Sequence, residues 1–357
     1  MKITNTREIW IDYAKAIGII LVIVGHMAFV NTGATAFIYT FHMPLFFLIS
    51  GYLYKRKDNF GEGVKKDAKR LLLPYVYFYI ISYAYWFMVI YSKHKGQFPG
   101  PFTQVVIIKP MLGMLFGMGY ETNISRSINH PLWFLVALFF IKVIYTALEG
   151  IVRENRIYVG IGILILLIPV VFLRANGYDL WFSLDSAVIA LPFFYFGTVI
   201  RSLNVKLWFK NNILNMVYFV ALTALTFLIV KYNGNPDINS ALWGNNLLLF
   251  YIGGLAGTFM IFSLCFVLAG VPSKFILFVS ANTLVLMCIQ GMLKSISMSI
   301  LKVAHFNLPL KQNFTQTAVL TAVIFILSLP VMYLIDKYLP FLAGIVTTKN
   351  KAEVVSV

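Results

Sequence analysis

The sequence predicts an all-α polytopic membrane protein, a bundle of about ten transmembrane helices with both termini cytoplasmic. Three observations predict it. Of 357 residues, 60% are hydrophobic and only 12% charged, with a mean hydropathy of +0.81, whereas about a quarter of the residues of a soluble domain are charged. Apolar runs of the ~20 residues needed to cross a bilayer recur along nearly the whole chain, so residues 1–357 read as one integral-membrane domain with a short cytoplasmic tail from about 337. The net charge of +16 would suit nucleic acid, but the basic residues sort by loop into a membrane topology, and no nucleic-acid partner is expected.

Apolar runs and their breaks place the spans at 10–30, 36–54, 74–92, 131–149, 157–173, 184–200, 212–230, 245–269, 275–298 and 315–335. Lys2 and Arg7 before the first run, with "ATA" at 34–36, imitate a secretory signal. The run is too long for the roughly 7–15 residues of a signal core, and a second span follows at once, so it reads as a retained first helix. The second span ends in the basic segment "KRKDNFGEGVKKDAKR" at 55–70, which suits a topology determinant and contact with anionic membrane lipids. Between the third and fourth spans, residues 93–130 combine the turn chemistry of "GQFPGPF" with an apolar "VVIIKPMLGMLFGM" that re-enters or lies on the membrane. The fifth span follows Arg153 and Arg156, the sixth runs into "RSLNVKLWFK", and "GGLAG" at 253–257 in the eighth is a small-residue helix-packing pattern. With the N-terminus inside, about 19 of the 29 lysines and arginines fall on the cytoplasmic side, as the positive-inside rule requires. Cys265 and Cys288 sit in apolar runs as small hydrophobes.

Ionisable groups inside a span are costly and are functional candidates by default. The first helix carries three: Asp12, Lys15 and His26. Eleven residues is close to three helical turns, so Lys15 and His26 share a face about 16 Å apart, and Asp12, one turn below Lys15, is placed to pair with it. His42 on the descending second span reaches a depth similar to His26. Lys142 and Lys294 lie within the fourth and ninth spans, as substrate contacts or as lysines snorkelling to an interface. His94, His130 and His305 fall in external segments or at an external span end; Trp133, just after His130 at the opening of a span, is a candidate for stacking on a sugar. No metal-ligand spacing such as HExxH is present and no metal is expected; a phosphate loop, a dinucleotide fingerprint and a GxSxG elbow are also missing.

Four stretches in order, "IDYAKAIGIILVIVGHM", "FHMPLFFLISGYLY", "KRLLLPY" and "HPLWFLVALFF", resemble successive signatures of the integral-membrane acyltransferase family often called acyltransferase 3, particularly its fucose 4-O-acetylase-like branch. The resemblance implies a ten-helix bundle that moves an acyl group, usually acetyl from cytoplasmic acetyl-CoA, to sugar hydroxyls on the far side of the bacterial inner membrane. It implies that His26 is the essential first-helix histidine, that Lys15 stands where a basic residue precedes it by eleven, that Arg70 belongs to the basic motif after helix two, and that Trp133 lies in the "LWFL" segment. Three positions depart from the pattern: Lys15 replaces the more usual arginine and loses its planar fork, Leu73 stands where a second arginine is expected, and Gln290 stands where many relatives have histidine.

The residues themselves suit that chemistry. Acetyl-CoA is expected as donor, with no permanently bound cofactor; its phosphates would be held by Lys15, Lys55, Lys57, Lys66, Lys69 and Arg70. Neutral His26 would act as general base on the acceptor hydroxyl, a role worth about 10²–10⁴-fold. His42, Asn282 and Gln290 are candidate oxyanion donors by depth, and an acetyl-histidine intermediate is the alternative to direct transfer. The expected partners are acetyl-CoA, a lipid-linked or cell-surface saccharide and membrane lipids. The competing readings are a transporter of an acyl donor or lipid-linked sugar, and a structural partner of a polysaccharide synthesis complex.

Overall fold

A computed structural model describes residues 7–27, 32–98, 100–117, 119–153, 155–306, 308–309 and 312–345. The last residues of the expected first span and most of the expected tail lie outside them. In chain order the helices are α1 (Ile9–Gly25), α2 (Thr32–Tyr52), α3 (Phe60–Tyr85), α4 (Ser92–His94), α5 (Lys109–Phe116), α6 (Trp133–Ile151), α7 (Arg156–Ala175), α8 (Leu184–Ser202), α9 (Asn212–Asn233), α10 (Leu247–Leu268), α11 (Lys274–Ala281), α12 (Thr283–Val303) and α13 (Phe314–Tyr338). Among the described residues there are no strands; an isolated bridge joins Asp237 and Leu242. Among the described residues nine helices are long and apolar enough to cross a membrane; α1 has 17 described helical residues, about 25 Å. The chain is an all-α, multi-pass membrane protein.

Two elements differ from the sequence expectation. The third helix starts at Phe60, so half of the basic loop is helical. Asn59 caps it by accepting the N–H of Glu62 at 3.1 Å, and the following run is rich in helix formers. The expected ninth span is two helices, α11 and α12, broken at Asn282 (φ −103°, ψ 14°), whose side-chain amide donates to the carbonyl of Phe278 at 3.0 Å. Asparagine competes with its own backbone for hydrogen bonds, which favours such a break, and the spanning helix then runs on to Val303.

Segments expected to be cytoplasmic meet at one end of the bundle. Glu8 accepts from Trp10 Nε1 at 2.9 Å and Tyr52 OH at 2.8 Å and pairs with Lys206 at 3.2 Å, while Tyr54 OH donates to Glu149 at 2.9 Å. Helix α2 sits centrally against α1, α8 and α10. Its approach to α8 requires glycine on both sides: a Cβ on Gly51 would stand 1.9 Å from the Phe194 carbonyl oxygen, and one on Gly197 2.1 Å from that of Leu48. The "GGLAG" glycines serve the packing expected of them, with Gly254 against Phe193 and Gly257 against Phe41.

The apolar stretch at 103–116 folds back along α3, as a π-helical segment (Thr103–Ile108) running into α5. Three tyrosines four residues apart on α3 hold it. Tyr75, Tyr79 and Tyr83 donate to the carbonyls of Met114, Pro110 and Val106 at 2.6, 2.7 and 2.8 Å, an antiparallel register with the same step on both sides. The segment ends with Phe116 stacked on Trp181 and Gly117 against Val136, inside the first turn of α6.

Candidate active site

The first helix ends at His26, which serves as the C-cap of α1. Its ring stands at the mouth of a cavity of about 250 Å³ that also takes in Ser82, Tyr85 and Trp86 from α3, Asn129 and His130 from the turn before α6, and Gln290 and Lys294 from α12. The imidazole makes no side-chain hydrogen bond to a described residue, so its ring nitrogens are open to the cavity. One wall is aromatic, from Tyr85 and Trp86; the facing wall is polar. No carboxylate lines it.

The polar wall is arranged by carbonyl acceptors that fix each amide's orientation. Asn129 Nδ2 donates to Ser82 Oγ at 2.8 Å and to the Cys288 carbonyl at 2.7 Å, leaving Oδ1 buried without a partner. Gln290 Nε2 donates to the Met287 carbonyl at 3.3 Å, leaving Oε1 in the same condition. Two buried amide oxygens beside a cavity call for donors such as hydroxyls. Lys294 Nζ donates to the His26 carbonyl at 2.6 Å, a lysine at the C-terminal end of α1 where a cation suits the helix dipole. His130 Nδ1 donates to the carbonyl of Gly119, which leaves Nε2 as its free nitrogen.

Behind His130 lies Asp237, in the external loop between α9 and α10. Burial pushes its carboxyl above the ordinary range, against the hydrogen bonds from Ser240 Oγ at 2.9 Å and the Asn239 N–H at 3.1 Å and the field of His130. Among the described residues no group of three His, Cys, Asp or Glu side chains is close enough to hold a metal ion.

The residues singled out in the sequence separate into distinct places. His26 and Gln290 line the cavity. His42 does not: it is 4% exposed, its Nδ1 donates to the Ile38 carbonyl at 2.9 Å, and Tyr39 stands over both histidines with ring centroids 6.3 Å from His26 and 4.9 Å from His42. Asn282 lies at the helix break, about 12 Å along the α12 axis from Gln290. Trp133 is buried at 5% exposure against Phe47 and Phe134, occupied by packing rather than presented to a ligand.

At the end of the bundle expected to be cytoplasmic, Asp12 is ion-paired to Arg7 rather than to Lys15. Its carboxylate takes Arg7 at 2.7 and 2.8 Å and Ser280 Oγ at 2.6 Å, because α11 packs on α1 at that level. Lys15 is thereby left with no side-chain hydrogen bond or ion pair to a described residue, within electrostatic reach of Arg70. Lys66, Lys69 and Arg70 share an exposed face of α3. Lys57 is engaged: with Lys142 it grips the buried carboxylate of Asp67, at 3.1 and 2.7 Å.

Sequence reasoning left Lys294 undecided and missed His130, Asn129 and the aromatic wall as site residues. The spacing of Gln290 and Lys294, one helical turn apart, was the available signal for the first; nothing in the sequence brings Asn129 and His130 to His26.

A polytopic bundle with a first-helix histidine over a polar cavity, and a lysine without an ion pair to a described residue towards the opposite end of the same helix, defines a membrane protein built around a polar site. The chain belongs to the acyltransferase domain family, whose profile matches residues 8–337. Over 87 residues it is 42% identical to the nodulation protein NolL of Mesorhizobium japonicum, covering 21% of this chain and 23% of that protein. A similar stretch of 86 residues is 40% identical to the nodulation protein NolL of Sinorhizobium fredii, covering 20% and 24%. The alignment thus spans about a quarter of these curated relatives. No solved structure matches.

Proposed function

We propose that the protein is an O-acyltransferase of the bacterial cytoplasmic (inner) membrane that moves acetyl from cytoplasmic acetyl-CoA to a hydroxyl of a lipid-linked or cell-surface saccharide. The observation that carries this reading is the division of α1: towards its start Lys15, which makes no ion pair to a described residue and lies in the field of Asp12, Arg7 and Arg70, and at the other end His26 over a cavity with an aromatic wall and hydroxyl-seeking amide oxygens. Lys15, Lys66, Lys69 and Arg70 receive the donor's phosphates, and the long flexible arm carries the thioester along the helix to His26. A sugar ring lies against Tyr85 and Trp86 with its hydroxyls donating to Asn129 Oδ1 and Gln290 Oε1. His26 takes the proton of the attacking hydroxyl as oxygen adds to the thioester carbonyl, and returns it to the departing sulfur.

The test is transfer of radiolabelled acetyl from acetyl-CoA to endogenous glycan in membranes holding equal amounts of wild type, His26→Ala or His26→Gln. Label that enters glycan with wild type and is lost with both variants supports the reading. A carrier would tolerate the amide, so full labelling by His26→Gln overturns the base role.

A further inference from the structure

We propose that the ammonium of Lys294 is the group that holds the oxyanion of the acyl-transfer intermediate, a further catalytic residue beside His26; this rests on the acyl-transfer reading above. An acyl transfer to a hydroxyl needs a donor where the carbonyl oxygen becomes negative, within about 3 Å of it and close to the base. The side chains placed at that depth by sequence do not meet the need. The Gln290 amide nitrogen is turned to the Met287 carbonyl and presents its oxygen, both donors of the Asn129 amide are spent on Ser82 and Cys288, and His42 is sealed behind Tyr39. Asn282 lies at the helix break, outside the cavity lining.

Lys294 does. Its Nζ is 2.6 Å from the backbone oxygen of His26, which puts the charge beside the base, and it lines the cavity. An ammonium has three donors, and among the described residues only that one carbonyl takes any of them. Among the described residues that line the cavity there is no carboxylate to neutralise it. A cation so placed in an apolar helix at substrate level is matched by negative charge that arises during the reaction.

The step balances as follows. The acceptor O–H proton passes to the His26 imidazole as its oxygen bonds to the thioester carbon. The carbonyl electron pair moves onto oxygen, where Lys294 receives it. Collapse restores the C=O bond and breaks C–S, and the thiolate takes the proton from His26, leaving an ester and a free thiol.

A structural rival exists, in which Lys294 only ties the end of α1 to α12. Lys294→Gln retains a hydrogen-bond donor for the His26 carbonyl, Lys294→Met does not, and Lys294→Arg retains the charge. The experiment measures initial rates of label transfer from radiolabelled acetyl-CoA to endogenous glycan, at varied acetyl-CoA and varied added glycan extract, alongside thermal stability of each purified variant. The expected result is a maximal rate lowered about 10²–10³-fold in both Gln and Met, half-saturating concentrations unchanged, and partial recovery in Arg. Three results overturn the proposal: a wild-type rate with Gln, a loss that tracks thermal stability, or a rate restored by more glycan, which would assign Lys294 to an anionic acceptor. If wild type moves no label while purified and folded, the acetyl-CoA reading fails and takes this inference with it.

Discussion

Lys142 and Lys294 are the same residue type in the middle of two apolar helices, and the fold gives them opposite surroundings. Lys142 on α6 meets the buried carboxylate of Asp67 at 2.7 Å, and Lys57 closes the other side of it at 3.1 Å. Lys294 on α12 meets a backbone carbonyl and an open cavity. The first is an ion-paired fastening between α3 and α6. The second is a charge left for something the protein does not itself contain. Partnership, not burial, separates a structural lysine from a functional one.

The comparison is sharpened first at the cavity. His26→Ala is expected to lower acyl transfer by about 10²–10⁴-fold while the purified protein unfolds at the wild-type temperature, because the imidazole makes no hydrogen bond to a described residue. A matching fall in thermal stability would break the distinction. Next in size is Asp67→Ala. Removing the carboxylate strands two ammonium groups, and a loss of about 3 kcal/mol is expected, read as a lower unfolding temperature in detergent. The double change Asp67→Leu with Lys142→Met should restore most of it, since an apolar pair can replace a buried ion pair.

The single lysine changes then carry opposite signatures. Lys142→Met should lower stability by about 1–2 kcal/mol and leave the transfer rate per folded molecule within about twofold, whereas Lys294→Met should stay within about 1 kcal/mol of wild type and lose the rate. Equal behaviour of the two would show that neither is special. The smallest effect concerns Asp237, a buried acid beside the acceptor side held by hydrogen bonds rather than by a cation. Because burial raises its carboxyl in the folded state, the fold favours the protonated form, and ionisation removes stability as pH rises through the folded-state value. Asp237→Asn keeps the acceptor for Ser240 and escapes this cost, so its unfolding temperature relative to wild type should climb from acidic to neutral pH. A difference that is flat or falls with pH would contradict the assignment.

Much of the bundle was legible in the sequence. Most of the spanning helices and the packing glycines followed from apolar runs and turn residues, because the cost of placing a segment in lipid depends on its own composition. The break at Asn282 was not legible, since a single asparagine in an apolar run is compatible with a continuous helix until its neighbours are known. The site was half legible. Helical spacing put His26 and Lys15 on one helix face, but it could not say that Asp12 would choose Arg7 and Ser280 over Lys15.

What the sequence determined by itself is a many-helix membrane chain, with a histidine at the end of its first helix and basic residues at the start, since depth along a helix is counted from residue number at about 1.5 Å each. What only the tertiary structure decided is which helices turn towards one another. That choice sends His42 behind Tyr39, buries Trp133 in the core, gives Lys142 a carboxylate, and brings Lys294 to His26 from 268 residues away. The physical reason is that the partners of a buried charge are set by packing between distant segments, which local periodicity does not encode.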